Sequence, residues 1–177
     1  MNEPGDYRYL LTRDWLTGDG TVLYVMLNPS TADTANDDPT IRRCKTFAQV
    51  HGFARLEVVN LFAARATKPE RLLSLDDPVG PANERYVADA MQRADLVVFA
   101  WGAWLATLTA KKRLRLAPTD VEAIAAQLDV TPHCLGLTSS GLPRHPLYVP
   151  GDQRFVPFRQ PAFLPADEPL DLGVEVG

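Results

Sequence analysis

At 177 residues and 46% hydrophobic content, the chain is long enough to bury one proper core and too short for several domains. Twenty-two acidic against eighteen basic residues give a net charge of −4, which excludes the electrostatic footprint of a tight, nonspecific DNA binder but leaves room for a local basic strip. The opening Met1 to Asp6 is polar and acidic, no apolar run is long enough to span a membrane, and Cys44 and Cys134 stand far apart in apolar contexts. A cytoplasmic protein with buried free thiols, no membrane contact and no obligate protein partner is therefore expected.

In chain order, Tyr7 to Leu11 and the segment around Trp15 read as an edge strand or hairpin, and Thr17-Gly18-Asp19-Gly20 as a turn. Val22 to Leu27 is a continuous apolar run that suits a strand buried on both faces, and Asn28-Pro29 ends it. The loop that follows carries Ser30, Thr31 and Thr34 with Asp33, Asp37 and Asp38. Asp38 as N-cap and Pro39 at the first helical position open a helix to about His51, with Gly52 as its stop. Ile41, Cys44 and Ala48 recur at helical spacing, with Phe47 beside them, and should face the sheet. Arg42, Arg43 and Lys45 near its start oppose the helix dipole. Either Asp37 and Asp38 offset them, or Arg42 or Arg43 reaches an anion over the loop.

Leu56 to Phe62 is a second buried strand with Asn60 near its end, followed by Arg65 in the next loop. Strand, helix, strand implies a parallel pair with a right-handed crossover, so Asn60 should emerge at the same sheet edge as Asn28. Short and longer helices are expected over 69–73 and 82–93, a third strand over 95–101, and a helix over 103–110. Lys111 to Arg115 is the one dense basic run, a solvated face or a phosphate contact. A helix over 120–128, capped by Thr119, and a short strand over 133–137 complete the core. The loop 138–148 then delivers Arg144, His145 and Tyr148. The expected architecture is an α/β three-layer sandwich around four mostly parallel strands over residues 1–163. The acidic, proline-containing tail of 164–177 should be weakly ordered.

In such folds ligands sit beyond the carboxyl ends of the strands, which is where the polar loops around Asn28, Asn60 and His145 fall. Phosphate-loop, dinucleotide, zinc-protease and nucleophile-elbow signatures are all missing. Asp33, Asp37 and Asp38 match no known magnesium cage, and no metal or cofactor is expected.

The stretches Met26-Leu27-Asn28-Pro29-Ser30-Thr31-Ala32-Asp33, Asp37 to Arg43, Val59 to Ala63 and Pro143 to Tyr148 closely resemble a bacterial and phage family of unknown function. More distantly, the chain is similar to the uracil-DNA glycosylase superfamily, whose four-stranded parallel sheet is flanked by helices. Met26 to Ser30 resembles the Gly-Ile-Asn-Pro-Gly of its mismatch-specific members, Val58-Val59-Asn60 the Leu-Leu-Asn of its classical ones, and His145-Pro146 their His-Pro loop. The resemblance implies that Asn28 positions a water, Asn60 pairs with a base edge and His145 stabilises charge on the leaving base. Met26, Ser30 and Leu147 depart from the pattern, and Asn28 stands where the classical catalytic aspartate would be.

The expected activity is therefore cleavage of an N-glycosidic bond to a DNA base by Asn28, Asp33 and His145, Asp33 serving as base because asparagine cannot take a proton. Ser30, Asn60, Arg42, Arg43, Arg65, Arg144 and Tyr148 would bind substrate, and Leu147 or Tyr148 would act as a wedge beside a flipped base. The alternatives are an enzyme on a free or modified nucleotide or nucleoside, and a non-catalytic module that binds a base or nucleic acid.

Overall fold

The computed structural model describes residues 7–32 and 36–159. Asp33 and the acidic tail both lie outside the described residues.

Three apolar runs build the centre of an α/β sheet. Thr21–Met26 (β2), Arg55–Asn60 (β3) and Leu96–Phe99 (β4) are buried almost throughout, as parallel strands covered on both faces must be. β2 pairs in parallel with β3 on one side and β4 on the other, and β4 pairs in parallel with the two-residue β5, His133–Cys134. Two antiparallel edges, β1 (Leu11–Asp14) on β3 and β6 (Val156–Pro157) on β5, complete a mixed six-stranded sheet in the order β1-β3-β2-β4-β5-β6.

The expectation of four strands with an N-terminal edge strand or hairpin thus undercounts the sheet. β6 is two residues long and contains proline, so it has no apolar run to announce it. β1 lies at the edge, but β3 separates it from β2, so the two form no hairpin.

Side-chain alternation splits the core. Val22, Tyr24 and Met26 pack with Leu56 and Val58 under α1 (Pro39–Val50). Leu23 and Val25 pack with Val59, Val97 and Phe99 under α2 (Asn83–Arg93) and α4 (Val121–Gln127). Burying one large apolar side chain contributes roughly 1.5–3 kcal/mol, so this alternation sets which face each helix covers. In α1, Asp38 accepts from the Ile41 N–H at 2.8 Å, and Ile41, Cys44, Phe47 and Ala48 form the buried stripe. Gly52 then adopts a φ of 82°, where a side chain would be strained. Cys44 and Cys134 are buried and free, and burial raises both thiols above their ordinary value.

The helix expected over 103–110 is divided. Trp104–Thr107 makes only a short 3-10 turn, and Thr109 caps a new helix, α3 (Ala110–Leu116), by accepting from the Lys112 N–H. The basic run is therefore helical, and only Leu116 of α3 is buried. Asp120, not Thr119, caps α4. The Thr119 hydroxyl instead accepts from buried Asn83 at 2.9 Å. No helix among the described residues is long and apolar enough to cross a membrane.

Glu57 is buried on β3 and receives Arg93 of α2 through bonds of 2.7 to 3.2 Å. Arg93→Met strands that carboxylate, and the stability measured by urea unfolding should fall by about 2 kcal/mol, less than a fully dry pair because Arg93 is partly exposed. The double variant Glu57→Leu with Arg93→Met should recover most of the loss.

Candidate functional site

The loops after β2, β3, β4 and β5 leave the sheet at one edge, and a cavity of about 760 Å³ opens there against the start of α1. Its shape depends on the two central loops continuing the β2–β3 pairing beyond the strands. Leu61 N–H donates to the Met26 carbonyl at 2.9 Å, Phe62 N–H to Leu27 at 3.0 Å, and Ala66 N–H to Pro29 at 2.9 Å. Asn28 closes this zipper, its Nδ2 donating to the Ala66 carbonyl at 2.7 Å and the Pro29 carbonyl at 2.9 Å. Both amide hydrogens are spent on the scaffold, which leaves Oδ1 as an acceptor on a residue that lines the cavity.

Asn60 lines the same cavity from the end of β3 and is 1% exposed. Neither its Oδ1 nor its Nδ2 has a hydrogen-bond partner among the described residues. Its backbone is firmly held, because Asn83 Nδ2 donates to the Asn60 carbonyl at 2.8 Å and to Leu61 at 3.3 Å. A buried polar group left unpaired costs about 1–3 kcal/mol. Trp101, after β4, lines the cavity with a buried indole N–H that also lacks a partner among the described residues.

His145 arrives from the loop after β5. The chain turns at Gly102, whose φ of 77° favours glycine and where an added Cβ would lie 3.3 Å from the His145 Cβ. Gly102 N–H holds the Pro143 carbonyl at 2.9 Å. His145 Nδ1 accepts from the Leu147 N–H at 3.2 Å and caps the short 3-10 turn Pro146–Tyr148. Accepting at Nδ1 places the proton of a neutral ring on Nε2, making it a donor. Burial pushes the imidazole below its ordinary value, partly opposed by the negative charge of Asp38. Asp38 itself lines the cavity, the one carboxylate among the described residues that does. Its Oδ1 is committed to the helix cap, and Oδ2 has no bond among the described residues.

Of the residues singled out from sequence, Asn28, Ser30, Asn60, Arg144, His145 and Tyr148 meet at this cavity, and Arg42, Arg43 and Arg65 do not line it. Arg43 has a different task. It donates to the Val149 carbonyl at 2.7 Å and to Pro146 at 3.4 Å, and lies 4.9 Å from the Phe47 ring, clamping the histidine loop onto α1. Arg42 returns to the Asp37 carbonyl. Arg65 lies beside the cavity in a shallower recess. Asp37 is held by Arg13 at 2.7 Å and Lys45 at 2.9 Å. Burial alone would raise its carboxyl, but these bonds and charges outweigh that and lower it.

Sequence reasoning missed Arg8 and Trp101, and read Asp38 chiefly as a cap and not as a wall of the cavity. Arg8 is buried, lines the cavity and binds the Ala32 carbonyl. A basic residue ahead of the first strand carried no signal for that. Trp101 ended an apolar run and read as core.

The imidazole geometry predicts an NMR titration of His145 with a midpoint below the ordinary 6.5 and an Nε2–H tautomer above it. Asp38→Asn keeps the cap but removes the charge, so the midpoint should fall further. Because the folded-state value is depressed, the contribution of His145 to stability is fully present above the unfolded value and is lost as pH falls through the folded one.

No curated protein and no solved structure matches this chain significantly. A family described as "Protein of unknown function (DUF1643)" matches residues 8–147, a span that includes every cavity-lining residue but Tyr148, and the chain belongs to that family.

Proposed function

We propose that the cavity binds a nucleobase and that the chain is a glycosylase-like hydrolase cleaving the N-glycosidic bond of a base in DNA. The observation that carries this reading is the Asn60 amide. It offers a donor and an acceptor side by side, the complement of the amide edge of a base, and both are buried with no partner among the described residues. Met26, Leu27, Ile41 and Val58 supply the apolar wall a flat heterocycle requires. The distant resemblance of the Asn28-Pro29 and His145-Pro146 loops to the uracil-DNA glycosylase superfamily supports the same reading.

The chemistry follows from the groups on the wall. A water held by Asn28 Oδ1 attacks the anomeric carbon, the carbon–nitrogen bond breaks, and its electron pair passes to the base. The negative charge that develops on the base meets the Nε2–H of neutral His145, a preorganised donor on a half-buried residue. The water gives its proton to a carboxylate and the new hydroxyl stays on the sugar. Asp38 is the carboxylate on the described part of the wall, while Asp33 lies outside the described residues. Leu147 and Tyr148 stand exposed at the rim, Tyr148 with its ring 5.5 Å from that of His145, as a wedge beside an extruded base requires.

The test is base release from single- and double-stranded oligonucleotides carrying uracil, hypoxanthine, xanthine or 5-hydroxymethyluracil. Wild-type protein should leave abasic sites with at least one of them. His145→Ala should slow release on the order of 100-fold with little change in KM. Asn28→Asp should also lose activity, because its carboxylate would face the Pro29 and Ala66 carbonyls and open the loop. Failure of the wild type on every substrate would overturn hydrolysis.

A further inference from the structure

The recess beside the base cavity has its own chemistry. It measures about 230 Å³, is lined by Ser30, Arg65, Ala66, Thr67 and Arg71, and shares Ser30, Ala66 and Thr67 with the main cavity. Most arginines of this chain are committed. Arg13, Arg55 and Arg93 bind carboxylates, and Arg42, Arg43, Arg115 and Arg144 bind backbone carbonyls. The guanidiniums of Arg65 and Arg71 have no hydrogen bond and no ion pair among the described residues, and neither do the Ser30 and Thr67 hydroxyls. Glu70, the nearest acidic residue in sequence, does not line the recess.

We propose that this recess is the phosphate subsite of the same ligand, taking a phosphoester attached to the nucleoside whose base occupies the main cavity. The inference rests on the base-binding reading and adds the substrate class. Two guanidiniums with two hydroxyls form a donor-rich set with no carboxylate among its side chains, which suits a phosphate oxyanion. The recess is rigidly tied to the base site, because the segment carrying Arg65 and Thr67 is the one that Asn28 and Pro29 staple through Ala66. Base pocket and phosphate pocket thus sit at a fixed separation.

A phosphoester of this kind comes from a nucleotide or from a strand. A strand would find more cations nearby. Arg71 lies on the 3-10 turn Pro69–Ser74, and Arg115 bonds that turn through the Leu73 carbonyl, which places α3 with Lys111, Lys112 and Arg113 next along the surface.

The experiment compares 2′-deoxyuridine and 2′-deoxyinosine with their 5′-monophosphates and with inorganic phosphate by calorimetry, and with a 15-residue single strand carrying either base by fluorescence anisotropy. With the wild type, a monophosphate or the strand should bind at least about tenfold tighter than its nucleoside. Arg65→Gln with Arg71→Gln should remove that advantage and leave nucleoside binding unchanged. Sensitivity of strand binding to Lys111→Gln, Lys112→Gln and Arg113→Gln together, with a steep salt dependence, identifies a strand as the source, and insensitivity identifies a nucleotide. Equal binding of nucleoside, monophosphate and strand, unaffected by the arginine variants, overturns the phosphate subsite while the base reading stands. Arginine-dependent binding of inorganic phosphate without binding of any nucleoside supports the anion site but overturns its link to a base. Binding of none of these probes overturns the proposal.

Discussion

The candidate site depends on one ladder, the parallel pairing of β2 with β3, which does not stop where the strands stop. The register sets Met26 opposite Asn60, and backbone bonds carry the pairing onward through Leu61, Phe62 and Ala66. Asn28 finishes it with two donations from one side-chain amide. Loops are ordinarily the softer parts of a fold. Here two of them are zipped together, so the acceptor of Asn28, the amide of Asn60 and the neighbouring recess are held at fixed positions. The third support, Arg43, clamps the His145 loop to α1. An enzyme that works by placing donors where charge will develop needs this rigidity before its substrate arrives.

That rigidity is combined with unsatisfied chemistry. The amide of Asn60 and the indole N–H of Trp101 are buried without partners among the described residues, at a cost that a purely structural wall would avoid with apolar side chains. Elsewhere buried polarity is mostly paired, although the Tyr24 hydroxyl and Asn83 Oδ1, which do not line the cavity, also lack partners among the described residues. Glu57 is met by Arg93, and Asn83 distributes its amide hydrogens over Asn60, Leu61 and Thr119. What sets Asn60 and Trp101 apart is that their unpaired groups belong to residues that line the cavity.

Much of this was legible in the sequence where the signal is local. The apolar runs of β2 and β3 and the α1 stripe of Ile41, Cys44, Phe47 and Ala48 follow from pattern, and the Asp38 cap with Pro39 from helix-end chemistry. The gathering of Asn28, Asn60 and His145 follows from strands that run parallel and release their loops at one edge. What escaped was non-local. Arg43 looked like an anion ligand because its partners Pro146 and Val149 lie more than a hundred residues away. Asn83 drew no notice within the helix expected over 82–93, yet it holds the end of β3. The short edge β6 and the division before α3 turn on pairing and capping that periodicity does not encode.

On the proposed reading, Asn60 is kept for a ligand at the expense of the fold. Asn60→Leu tests it directly when unfolding stability and binding are measured on one preparation. Stability should rise, by about 1 kcal/mol or more, as the unpaired amide is replaced by a side chain of similar size. Affinity for single strands carrying uracil or hypoxanthine should fall at least about tenfold. A variant that loses stability and binds these strands as well as the wild type would rule out a ligand role for Asn60, which would then be serving the fold.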